Sequence, residues 1–68
     1  MDISKKDLIE RLAIRSIKLA GKSTNEIERF CWMTVHEHHH GVMPSEYDIR
    51  EIDEDLYLAI LRRVKEFN

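Results

Sequence analysis

Few residues in this 68-residue chain interrupt a helix: its two glycines, Gly21 and Gly41, and its single proline, Pro44, fall at two places only. Glycine just past a helix takes up the left-handed conformation at least cost, and proline cannot continue a helix. The three stretches they separate each carry apolar residues at spacings of three and four, the period of one helix face. A chain punctuated in this way folds as helices joined by short connections.

The first stretch begins with Ser4 and Asp7, a Ser-x-x-Asp capping pair. Ile3 and Leu8 are spaced as a hydrophobic staple around it. Leu8, Ile9, Leu12, Ala13, Ser16, Ile17 and Ala20 form one stripe, and Gly21 supplies the stop. Ser23-Thr24-Asn25-Glu26 repeats the capping-box pattern and opens a second helix. Its stripe is Ile27, Phe30, Cys31, Thr34, Val35 and His38, with Trp32 and Met33 off the main line. The aromatic and branched run from Phe30 to Val35 makes a short strand the rival reading, but the capping box and longer period favour helix. Gly41-Val42-Met43-Pro44 breaks that helix, and Ser45 with Asp48 offers a third cap. Tyr47, Ile49, Ile52, Leu56, Ala59, Ile60, Val64 and Phe67 then fit one long helix or two abutting ones divided near Asp53.

These patterns predict an all-α fold: a small antiparallel three-helix unit, with helices near 4–20, 23–40 and 45–67, forming a single domain over residues 1–68. At this length a core is marginal, and association into a homodimer is the expected remedy. The composition, 43% hydrophobic and 35% charged, is that of a folded globular chain. The longest apolar run, Phe30 to Val35, is far short of a bilayer span, so no membrane partner is expected. One cysteine excludes an intramolecular disulfide, and the charged N-terminus does not read as a secretory leader; the expected compartment is the cytoplasm.

Charge has a direction. Residues 1–35 carry net +2 and residues 36–68 net −4. Glu46, Asp48, Glu51, Asp53, Glu54 and Asp55 accompany a single Arg50, an arrangement that steers a basic partner. The plainer reading is a solvated acidic helix start.

All four histidines lie in His36-Glu37-His38-His39-His40. His36, Glu37 and His40 spell His-Glu-x-x-His, in which two histidines one turn apart hold zinc and the glutamate acts as base. The string resembles that of zinc peptidases over five residues; the resemblance implies a zinc cofactor on His36 and His40. The cluster ends at once on Gly41, and only Glu46, Asp48 and Glu51 offer themselves as a third ligand. The alternative is structural, since histidine in a last turn complements the negative helix end. His38, on the apolar stripe, reads as a core histidine.

Two further candidates are weaker. A helix-turn-helix centred on Gly21 would expose Thr24, Asn25, Glu28 and Arg29 to DNA, with Lys18 and Lys22 on phosphates. The net charge of −2 and the glutamates on the supposed reading helix argue against it. Cys31 and His38 are seven residues apart, about 10 Å along one helix, too far for a nucleophile and its base. The favoured reading is a non-enzymatic interaction module, a regulator, inhibitor or accessory subunit of a larger, nucleic-acid-handling or other protein. It docks through Trp32 and Met33, with the acidic segment 46–55 supplying specificity.

Overall fold

The computed structural model describes residues 4–21, 24–44 and 53–67. Among these the chain is helical: α1 spans Lys5–Ala20, α2 Ile27–His40 and α3 Glu54–Glu66, with a short 3-10 turn at Thr24–Glu26 leading into α2. Each helix packs against both of the others. No helix among the described residues is long and apolar enough to cross a membrane.

The helix ends follow local chemistry. Ser4 is extended and its hydroxyl accepts from the Asp7 amide at 3.2 Å, as the capping pair predicts. Gly21 takes φ 61° and returns its amide to the Ile17 carbonyl at 3.0 Å. Gly41, left-handed at φ 79°, does the same to Glu37 at 2.8 Å. The start of α2 differs from expectation. Its cap residue is Glu26, which makes no side-chain cap bond, and the 3-10 turn replaces the first predicted α-turn. Ser23, the expected cap, lies outside the described residues, as does Ile3 of the staple.

Asp53 decides between the two readings of the third stretch. Its backbone is extended, φ −73° and ψ 91°, and its carboxylate accepts from the Leu56 amide at 3.2 Å. A residue in that conformation begins a helix and cannot lie within one. One helix running unbroken through Asp53 is therefore ruled out. The proposed cap at Ser45 and the apolar residues Tyr47, Ile49 and Ile52 fall outside the described residues.

The core gathers Leu12 and Ala13 from α1, Cys31 and Val35 from α2, and Leu56, Ile60 and Val64 from α3. Leu8, Ile9, Ile17, Ile27, Tyr57 and Leu61 pack around it, half-buried. Ser16 and Thr34 are fully buried between α1 and α2, their hydroxyls 2.9 Å apart. Each also lies within hydrogen-bond reach of a carbonyl of its own helix, Leu12 and Cys31 respectively.

Three positions depart from the stripes. Trp32, off the main stripe and read as the docking anchor, is only 2% exposed. With Cys31, Thr34 and Val35 it gives α2 a buried arc wider than one stripe, as a helix touching two others requires. His38 keeps the stripe's angle but is exposed, because α2 contributes nothing to the core beyond Val35. Phe67 is 44% exposed, and the Arg63 guanidinium lies over its ring, 4.4 Å from the centroid.

Ile60 is fully buried at the centre of the cluster. Ile60→Ala is expected to cost about 2–5 kcal/mol, as much as a core of this size supplies in total, ~3–5 kcal/mol. Urea titration followed by circular dichroism should show the cooperative transition lost; a midpoint near that of the parent would contradict this placement of the core.

Candidate functional site

The last turn of α2, where the histidines lie, is tied to its surroundings at several points. Each side chain there meets a different neighbour. Glu37 turns toward α1: Arg15 donates from Nε to Oε1 at 2.7 Å and from Nη2 to Oε2 at 3.1 Å. The carboxylate beside it raises the Arg15 pKa above its ordinary value, chiefly through the hydrogen bond. Both Glu37 oxygens are thus engaged, and the carboxylate serves as a tie between helices where the zinc-hydrolase reading requires a free base.

His36 and His40 lie side by side, ring centroids 4.4 Å apart and planes 34° from parallel. His36 Nδ1 donates to the Val42 carbonyl at 3.0 Å, holding the chain just after the helix, and the Trp32 ring lies 5.7 Å away. His39 Nε2 reaches the Asp53 carboxylate at 3.1 Å, and His38 sets its ring edge-on to His39 at 5.1 Å. Among the described residues no group of three or more histidine, cysteine, aspartate or glutamate side chains is placed to hold a metal ion. The formal third ligands Glu46, Asp48 and Glu51 lie outside the described residues.

Of the expected docking residues, Met33 is half-buried, while Asp53, Glu54 and Asp55 are exposed at the start of α3. Trp32 is withdrawn into the protein. The apolar side chain that stands out instead is Val42, 62% exposed. Its place between Gly41 and Pro44 was the available signal: a residue in a helix break has no helix face on which to bury itself. Of the DNA-reading candidates, Asn25, Glu28 and Arg29 are exposed, and Arg29 stands 3.9 Å from Glu26. Cys31 is fully enclosed, and burial pushes its thiol pKa up despite a hydrogen bond with Ser16; both effects suit a structural thiol.

Asp53 joins two functions, capping α3 and pairing with His39. The Leu56 amide, followed by His39, holds its carboxyl below the usual range. A carboxyl pKa lowered by folding adds stability above its unfolded value, about 3.9, and loses it as pH falls through the folded value. Asp53→Ala should cost about 1 kcal/mol at neutral pH, and the gap from the parent should narrow below about pH 4. Urea denaturation across that range measures it; a gap that does not change with pH would assign the effect to something other than this carboxylate.

No curated protein matches this chain, and no solved structure does. One family match covers residues 7–68, taking in α2 and α3 whole and all but the first two residues of α1. The chain belongs to the family described as a domain of unknown function, DUF8662.

Proposed function

We propose that this protein is a helical interaction module that docks a basic protein partner at the junction of α2 and α3, as a regulator, inhibitor or accessory subunit of a larger protein. The observation behind this reading is that one helix turn holds both sides of the junction. His36 binds the backbone at Val42 and His39 binds Asp53, and residues three apart are neighbours on a helix. An exposed apolar side chain and the acids Asp53, Glu54 and Asp55 are in this way anchored to a common support. Apolar contact supplies affinity, and the acids steer and select a basic partner. Val42 takes the role first given to Trp32, and half-buried Met33 keeps its own. Phosphate backbones suit this acidic surface poorly.

A homodimer is the second reading, favoured by the outward face of α3. Leu58, 50% exposed, lies between Glu54 and Asp55 on one side and Arg62 and Lys65 on the other. Two α3 helices crossing antiparallel at Leu58 would set Glu54 of each copy against Arg62 of the other.

A photo-crosslinking residue at Val42, introduced in the cells that make the protein, is expected to label one partner, whereas the same residue at Lys18 labels none. Glu54→Lys with Asp55→Lys should abolish the adduct while circular dichroism still shows a folded helical chain, melting somewhat lower because two favourable first-turn acids are lost. An adduct that survives charge reversal overturns the acidic surface; no adduct at all overturns the docking site. For the dimer, sedimentation velocity should give twice the chain mass, reduced to one in Leu58→Glu; a monomer throughout excludes it.

A further inference from the structure

We infer that His36 and His40 form a two-histidine clamp for a divalent transition-metal ion of the zinc, nickel or copper class. Four residues apart, they share a face of α2, and their ring centroids are 4.4 Å apart. An ion about 2.0–2.1 Å from one nitrogen of each ring sets the ring centroids about 4.5–5 Å apart, so a small rotation about the side-chain bonds brings the pair into place. His36 is already set as a ligand. Its Nδ1 hydrogen is used on the Val42 carbonyl, so Nε2 carries the lone pair, and a backbone carbonyl behind a ligating histidine is a usual means of orienting one. His40 is exposed beside it, open to an ion from solvent.

The other two histidines are engaged differently. His39 directs Nε2 to Asp53, and His38 lies edge-on to His39. The string of four therefore contains one matched pair. Imidazole nitrogens select zinc, nickel and copper over the oxygen-seeking magnesium and calcium. The described residues supply these two protein ligands. Glu37 is held by Arg15. The clamp therefore fastens the last turn of α2, the turn that positions Val42, and Glu37 is not free to serve as a base beside the ion. This inference does not depend on the docking reading.

The test uses the untagged full chain and Zn2+, Ni2+ or Cu2+ alone, titrated in competition with a chromophoric chelator. One ion per chain is expected, copper bound most tightly, with a rise in melting temperature on loading. His36→Ala and His40→Ala should each weaken binding by about tenfold or more. His38→Ala, His39→Ala and Glu37→Gln should leave it nearly unchanged. His40 is exposed, so its variant keeps the fold and the test remains decisive if His36→Ala does not. Equal weakening by all four histidine variants would mean unspecific binding by a histidine-rich string and would overturn the clamp. A dependence on Glu37, or failure to bind a stoichiometric ion, would overturn it as well.

Discussion

Two buried hydroxyls set the position of α1 against α2, and the surface arrangement follows from them. Ser16 and Thr34 touch at 2.9 Å, flanked by Ala13 and Cys31; all four residues are small and fully buried. Small side chains let two helices come close, but the polar groups among them must be satisfied, since a buried hydroxyl left without a partner costs about 1–3 kcal/mol. Each hydroxyl is satisfied by a carbonyl of its own helix, and the contact between the two is the one that sliding either helix would break. Arg15 precedes Ser16, and Glu37 follows Thr34 by three residues, close to one helical turn. The same register that joins the hydroxyls brings the guanidinium to the carboxylate.

α1 carries the polar ties that reach both other helices. Arg15 meets Glu37 of α2, and Glu10 accepts from Nε and Nη2 of Arg63 on α3 at 2.6 and 3.1 Å. Arg63 also reaches Glu66 and lies over Phe67; the Arg63 hydrogen bond is the main reason the Glu10 carboxyl titrates below its usual range. Pairs this exposed add little to stability, and burial of Leu56, Ile60 and Val64 supplies far more. Two-pronged arginine–carboxylate contacts are directional, however, and they select one rotation of each helix among those the apolar stripes would tolerate.

What was legible in the sequence is what is local. The stripes of α1 and α3, the Ser4 cap and the stops at Gly21 and Gly41 all depend on residues within a turn or two of one another; at Asp53 the pattern leaves one helix and two both open. What was not legible depends on neighbours distant in sequence. Nothing in the order of residues says that Arg15 will find Glu37, 22 positions on. Trp32 reads as surplus to a stripe until a second helix covers it, and His38 reads as core until the core is seen to stop at Val35. Val42 is conspicuous only because its helix break leaves it uncovered.

The histidine cluster shows why a spacing motif underdetermines chemistry. His-Glu-x-x-His specifies that two imidazoles share a helix face and that a carboxylate lies a quarter-turn away. It does not specify what lies opposite that carboxylate. In a hydrolytic site the glutamate must be free to take a proton from water; here an arginine on α1 engages both oxygens. The imidazoles are divided as well, with His36 closing on the chain that leaves α2 and His39 on the residue that opens α3. The cluster therefore ties Val42 and Asp53 to one turn of α2. Val42 and the acids that open α3, Asp53, Glu54 and Asp55, thus share one support, so any ligand or partner that alters that turn also alters how they are presented.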